Sequence, residues 1–386
     1  MKILITGGAG FLGLHLAKYR QKSEEEKKEE DDTQKIKLYL LDIADFDKKE
    51  YPKNCQFIKA DVRDKKFIDY LFNKEKFDFV IHAAAALPLW NQRDIFEINI
   101  TGTKNILELS FKNKVKRVIF ISSTAVYGVP KKYPIFEDDS LVGVGPYGQS
   151  KIEAEKICWQ FIKKGLKVTI LRPKTFVGTH RLGVFEILFD WIKDGKKIPV
   201  IGNGCNRYQL LDVDDLVEVI YLIINKQISE GRKRNNDKKL NEVFNIGAEK
   251  FGTVRQDLEE LFEYAYQQKV KNQLSDGCRK IKNFKKSSII ATPAFLVKKI
   301  LWFFEKLKIS PLYQWVYDTA DHDSFVSIEK VKKTLNWQPK FSNAQALIKA
   351  YQWYLDNYQE IKSHPTGVTH RVGWRQGILG WIKRFC

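Results

Sequence analysis

Tyr147 and Lys151 stand four residues apart in "YGQSK", so on a helix they share one face and bring a phenol beside an ammonium. A free phenol gives up its proton near pH 10. To serve as a base near neutrality it must fall by about three units, roughly 4 kcal/mol at about 1.36 kcal/mol per unit. One ammonium close by in a partly desolvated site, helped by a second positive charge, can supply that. Such a pair suits taking the proton from a substrate hydroxyl.

The second charge has a source earlier in the chain. Gly7, Gly10 and Gly13 form Gly-x-x-Gly-x-x-Gly directly after the apolar run Lys2 to Thr6 and at the start of a predicted helix. There the first glycines let the backbone turn tightly and approach a pyrophosphate. The last lets helix and strand pack closely, and the helix N-terminus presents amide donors. The pattern reads as dinucleotide binding, and a nicotinamide dinucleotide carries a positive charge and exchanges hydride. Asp42 ends the next predicted strand, "LYLLDI". A carboxylate there accepts hydrogen bonds from the adenosine ribose and repels the extra phosphate of NADP, which points to NAD. Gly13 and Asp42 are 29 residues apart, against a usual spacing of about 20. The charged run "KSEEEKKEEDDTQK" at 22–35 accounts for the excess.

These residues need a frame that brings Gly7 to Tyr147. Short β-branched runs alternate with longer amphipathic stretches through the first half, the pattern of βαβ units. Predicted strands are Lys2 to Thr6, Leu38 to Asp42, Gln56 to Lys59, Phe79 to His82, Arg117 to Ser122 and Lys167 to Arg172. Their short apolar cores suit strands buried on both faces of a parallel sheet. "EVFNIG" (Glu242 to Gly247) reads as one more strand. From Phe176 onward the pattern turns helical and aromatic, broken at Gly202, Gly204, Pro293, Pro311 and Pro339. The expectation is an α/β protein with a Rossmann-type doubly wound parallel sheet over residues 1–175, completed by 206–248. A smaller, mostly helical C-terminal substrate lobe would come from 176–205 and 249–386.

Composition narrows the class. Hydrophobic residues make up 44% of the 386, enough for a globular core. No run reaches the roughly 18 apolar residues of a membrane span, and "MKILIT" does not read as a signal peptide, so a cytoplasmic location is expected. The five cysteines are scattered without a Cys-x-x-Cys pair, and the histidines lack metal-ligand spacing, so neither a disulfide frame nor a metal site is expected. Of the net charge of +19, residues 1–150 contribute 25 basic and 22 acidic groups, and 151–386 contribute 41 and 25. The basic half should attract anions, but no nucleic-acid-binding signature accompanies it, and nucleic acid is not expected as a partner.

In order along the chain, "TGGAGFLG" (6–13), Asp42, "ADVRD" (60–64), "HAAA" (82–85), Asn99, "SSTAVYG" (122–128), "YGQSK" (147–151) and "RPKTFVG" (172–178) resemble the extended short-chain dehydrogenase/reductases, in their NAD-dependent epimerase/dehydratase group. The resemblance implies cofactor contacts from Gly7, Gly10, Phe11, Leu12, Gly13, Asp42, Asn99, Tyr147 and Lys151. It places the adenine at Asp61 and Val62, the cofactor wall at Ala83, Ala84 and Ala85, and the nicotinamide near Pro173. Ser123 takes the family's catalytic Ser/Thr position and would hydrogen-bond the reacting oxygen, with Thr124 beside it toward substrate. Lys151 would also hold the nicotinamide ribose, and relatives often pair as homodimers through helices near this segment. His82 reads as strand-end structure.

For substrate, the family's 4,6-dehydratases carry Asp-Glu after the catalytic Ser/Thr, and here stand Thr124 and Ala125. That argues against dehydration and toward an epimerase, which oxidises a hydroxyl, turns the ketone over and returns hydride to the other face. A nucleotide sugar is the expected substrate, with Arg207 in "GNGCNRYQLLDVDDLVEVI" where relatives hold a phosphate. The later Arg-Pro-Gly-Asp segment that commonly supplies a second arginine is missing. The alternative is a dehydrogenase for a lipophilic or steroid-like alcohol. It draws on "PAFLVKKILWFFEKLKI" (293–309) and the basic tail "WRQGILGWIKRF" (374–385), which could rest on an anionic membrane or else cover the lobe. A non-catalytic NAD-binding regulator is the remaining reading.

Overall fold

The computed structural model describes residues 1–26, 36–88, 90–230, 237–275, 285–306, 314–363, 366–367, 373–374 and 383. Parts of the charged runs at 22–35 and 229–239, most of the tail at 374–385, and both Cys278 and Cys386 lie outside the described residues.

The predicted strands all form, within a residue or so of the expected ends. They are β1 (Lys2–Thr6), β2 (Lys37–Asp42), β3 (Cys55–Lys59), β4 (Phe79–His82), β5 (Arg117–Ile121), β6 (Val168–Pro173) and a last strand, Val243–Ile246. Across the sheet the order is β3, β2, β1, β4, β5, β6, then Val243–Ile246. Every pairing is parallel, with Ile3 opposite Leu38 on one side and Phe79 on the other.

Alternation along each strand builds a core on both faces. Ile3, Ile5, Leu38, Leu40, Phe79 and Ile81 pack with Leu14 of helix α1 (Phe11–Glu26) and with Leu216, Val217 and Ile220 of the Val213–Glu230 helix. Leu4, Leu41, Val80, Val118 and Phe120 face the other way, onto Ile68 and Phe72 of helix α2 (Lys65–Glu75) and onto Ala154 and Cys158 of the Gly145–Lys163 helix. Each such side chain contributes at most about 1.5–3 kcal/mol by leaving water. Burial on both faces is why these strands read as unbroken apolar runs.

The strand order reverses between β1 and β4, which opens a crevice at their carboxyl ends. Gly7 follows β1 there and Ala83 follows β4. A third core, including Phe189, Trp191, Phe262, Leu347, Tyr351 and Tyr354, lies among later helices. Among them the Asn343–Asp356 helix starts on a capping box, with the Gln345 amide donating to Ser342 Oγ and the Ser342 amide donating to Gln345 Oε1. Among the described residues no helix is long and apolar enough to cross a membrane.

Candidate active site

A cavity of about 1140 Å³ runs from the glycine turn to the later helices. It exceeds the roughly 300–1,000 Å³ of a typical single-ligand pocket, leaving room for a dinucleotide and a second molecule.

At its first end, Gly7 adopts φ +73°, and a Cβ on it would lie 2.9 Å from the Ala83 carbonyl carbon. A Cβ on Gly13 would come within 2.5 Å of the Gly7 oxygen, so Gly13 packs α1 onto the turn. Gly10 instead borders the cavity, and a Cβ there would find only the Gly7 carbonyl group within 4 Å, its oxygen at 3.1 Å. Gly7, Gly10, Phe11 and Leu12 all line the cavity. Asp42 lies at its rim and also braces the turn, accepting from the Ala9 amide (3.0 Å) and the Ala44 amide (3.0 Å). Arg181 enters the same wall from a segment that packs on α1 through the Phe11–Phe176 ring stack and the His15 hydrogen bond to Thr179 O. Its Nη atoms go to Glu50 (2.9 and 2.5 Å), while its buried Nε has no hydrogen-bond partner among the described residues. A glycine-lined turn at a helix N-terminus with an orphaned guanidinium donor in its wall fits a dinucleotide's diphosphate.

Farther in, Ser123 caps a short 3-10 turn, its Oγ accepting from the Ala125 amide at 3.1 Å. Tyr147 comes from the Gly145–Lys163 helix, started by Pro146 in the first turn. A Cβ on Gly148 would lie 2.8 Å from the Ala125 carbonyl oxygen, so glycine there lets the helix approach the turn that carries Ser123. Ser123, Tyr147 and Lys151 all border the cavity. The Tyr147 ring is half-buried, but its hydroxyl end sits deep enough for burial to push it up to about 12, with a hydrogen bond from Ser123 pulling the other way.

The geometry differs here from the expectation that Lys151 lowers the phenol. Lys151 Nζ donates to Ile121 O at 2.9 Å and lies 5.8 Å from the Tyr147 ring centroid. Its own burial draws it down to about 8, against the raising effect of Glu155. The nicotinamide of a bound NAD would add a positive charge that favours a phenolate.

Of the other expected residues, Asp61, Val62, Ala83, Ala84, Ala85 and Pro173 line the same cavity. Asp61 is clasped by Arg63, which, after the cost of burial, holds its carboxyl below the usual carboxylate range. Four expected residues stand outside the lining, Gly13 among them because it packs α1 onto the turn. Asn99 is buried behind the wall, bonding Ala86 and Ser150, so it shapes the cavity from outside it. Thr124 is buried, its Oγ1 without a hydrogen-bond partner among the described residues, and does not border the cavity, because the 3-10 turn carries it inward. Arg207 also stands outside the lining: its guanidinium is held by Asp323 (2.9 and 3.2 Å) over the Phe325 ring. His82 is held between Thr6 Oγ1 (2.7 Å) and Thr103 Oγ1 (3.0 Å).

The far wall is largely apolar, with Leu87, Trp90, Phe185, Leu188, Leu210 and Leu347. Lys174 also borders it, with no role assigned from sequence. Its signal was a charge directly after the apolar strand "VTILRP". Glu155 was missed as well, although it continues the spacing of Tyr147 and Lys151 by another four residues. Among the described residues no His, Cys, Asp and Glu group is arranged to hold a metal ion.

Comparison with known proteins agrees with this geometry. The model of the family described as "NAD dependent epimerase/dehydratase family" matches residues 3–247. The chain is 30% identical to the uncharacterized protein y4nG of Sinorhizobium fredii over 98% of its own length and 85% of the relative's. It is 28% identical to the UDP-glucose 4-epimerase of Lactobacillus helveticus over 64% of this chain and 76% of that one. The structure of a Thermotoga maritima UDP-glucose 4-epimerase with UDP-glucose superposes with a TM-score of 0.67 at 23% identity, covering 93% of this chain and all of that one. A UDP-glucuronic acid 4-epimerase from Bacillus cereus in complex with NAD gives 0.68 at 21%, over 93% and 98% of the two chains. At these identities the two solved structures show the shared fold.

Proposed function

The chain belongs to the NAD dependent epimerase/dehydratase family, and from that premise we propose that it is a nucleotide-sugar epimerase acting by transient oxidation of a hydroxyl. The observation that carries this reading is that Ser123, Tyr147 and Lys151 share one cavity with the glycine turn and Asp42. The first end, from Gly7 through Leu12 with Arg181, would hold the NAD diphosphate, Asp42 the adenosine ribose, and Asp61 with Val62 the adenine. Lys151 would hold the nicotinamide ribose. Bound NAD supplies a hydride acceptor and, once reduced, a donor. Ser123 orients the substrate oxygen, and Tyr147 takes its proton and later returns it. Pro173 and the surrounding apolar side chains keep water from that oxygen. The sheet with its last strand serves as the cofactor domain, and 176–205 with the helices after 249 form the substrate lobe.

Purified protein loaded with NAD and given UDP-glucose, UDP-galactose or UDP-glucuronate tests the reading. Interconversion of C4 epimers by NMR without net NADH supports it. Net NADH points to a dehydrogenase, and NAD retention without turnover on any alcohol points to the regulator.

The dehydrogenase of a lipophilic alcohol gains support from the apolar far wall and from the Ala294–Lys306 helix. Phe295 is 71% exposed there, and Leu296, Trp302 and Phe303 are more than half exposed. In that reading the helix rests on an anionic membrane from the cytoplasmic side, and flotation with anionic vesicles checks it. A homodimer through the Tyr147 helix is the assembly we propose, checked by light scattering.

A further inference from the structure

Lys174 is the cation in this cavity with the least to hold it. Its backbone amide is spent on Ile246 O at 2.8 Å, at the end of the sheet, and its side chain is only 2% exposed. An ammonium has three N–H groups. One goes to Ser324 Oγ at 2.7 Å, and the Tyr208 ring, 4.8 Å away at its centroid, takes part of the charge. Among the described residues no carboxylate pairs with it. The other cations of the region are engaged: Arg181 with Glu50, Arg207 with Asp323, and Lys151 with the Ile121 carbonyl. A buried ammonium without a counter-ion is costly unless a partner arrives. Its neighbours Thr175 and Tyr208, whose hydroxyls lie 3.3 Å apart, border the same cavity and can donate or accept beside it.

We propose that Lys174 is the recognition site for an anionic oxygen group of the substrate, a phosphate or a carboxylate, with Thr175 and Tyr208 completing the contact. The site rests on the reading of this cavity as the substrate pocket. It answers the missing phosphate grip, since Arg207 is turned to Asp323 and the sequence lacks the usual later arginine. Burial alone draws the Lys174 amine down to about 7, so the free site sheds much of the burden of a bare charge and an arriving anion restores it.

The test is calorimetry on NAD-loaded protein with three probes: inorganic pyrophosphate, UDP-glucose and UDP-glucuronate. In Lys174→Met at least one bound probe should weaken by 30-fold or more, while NAD affinity stays within twofold and the free protein melts no lower than the parent. Equal loss for the two nucleotide sugars assigns the diphosphate, and loss confined to UDP-glucuronate assigns the sugar carboxylate. If the parent binds pyrophosphate through Lys174 but neither nucleotide sugar, the anion site stands and the nucleotide-sugar reading falls. Unchanged binding in Lys174→Met, or a parent that binds none of the probes, overturns the site. Should the variant lose NAD or its fold, crystals of the parent soaked in tungstate decide by anomalous scattering. An anion within hydrogen-bond reach of Lys174 Nζ sustains the proposal, and anions only elsewhere overturn it.

Discussion

Arg172 grips Glu155 with both arms of its guanidinium, Nε to Oε1 at 2.9 Å and Nη2 to Oε2 at 2.6 Å, inside a pair of side chains 3% and 2% exposed. The pair joins the end of β6 to the helix that carries Tyr147 and Lys151. Glu155 also accepts from Ser122 Oγ at 2.5 Å, next to Ser123, and Arg172 Nη1 donates to Tyr127 Oη at 2.7 Å. The arrangement therefore ties together the segments that carry Ser123, Tyr147 and Lys151, the three side chains proposed to act on the substrate.

Removing Glu155 leaves a buried, unpaired guanidinium, so Glu155→Ala should destabilise the protein by about 3–5 kcal/mol in urea titrations. Glu155→Gln separates positioning from bulk. Because the Glu155 charge raises Lys151, its loss should carry Lys151 below its present value of about 8 and move the basic limb of the pH–rate profile to lower pH. An unmoved limb would count against that coupling.

Tyr147 holds its proton tightly in the free protein, and a phenylalanine there would remove the proposed proton carrier and little else. Tyr147→Phe should lower turnover by about 10²–10⁴ on the substrate found by the screen, with NAD affinity within a few-fold. Ser123→Ala, which removes one hydrogen bond to the same oxygen, should cost less. Full turnover by the phenylalanine variant would dismiss Tyr147 as the proton carrier.

Two glycines of one motif should fail in different ways. A Cβ on Gly13 meets backbone at 2.5 and 2.6 Å that cannot yield, and Gly13 does not border the cavity. Gly13→Ala should therefore lower stability by about 1–3 kcal/mol. Gly10 borders the cavity at the end proposed to hold the diphosphate, so Gly10→Ala should cost NAD affinity, at least tenfold by calorimetry, with a smaller change in the urea midpoint. The reverse pattern would reassign the two positions.

The sheet was legible because its strands are buried on both faces and so appear as apolar runs a few residues long. The glycine turn and the Tyr147–Lys151 pair were legible from their spacing, although the spacing does not announce that Gly7 fits against Ala83 or that Asp42 binds the Ala9 amide. Pairings across the lobe were not. Arg207 belongs to Asp323, which lies 116 residues downstream, and nothing near Arg207 in the chain announces that partner. Lys174 owes its isolation to Ser324 and Tyr208 arriving from two other segments. Thr124 differs from Ser123 by one step along a 3-10 turn, which is enough to bury one hydroxyl and present the other.

His82 links the sheet to acid stability. Burial chiefly, and the Lys151 charge in addition, hold its imidazole down to about 3, so the folded protein keeps it neutral where the unfolded chain, at about 6.5, takes a proton. The unfolded state thus binds more protons between these values. The contribution to stability is complete above about pH 6.5 and is lost as pH falls toward 3, at up to about 1.4 kcal/mol per unit. His180, also drawn down to about 3, mainly by burial, shares the window. Urea midpoints between pH 7.5 and 4 should therefore fall steeply in the parent and less steeply in His82→Gln, even though that variant starts less stable because it disturbs the Thr6 and Thr103 hydrogen bonds. Parallel slopes for the two proteins would mean that His82 stays neutral for reasons unconnected with folding, or titrates in both states alike.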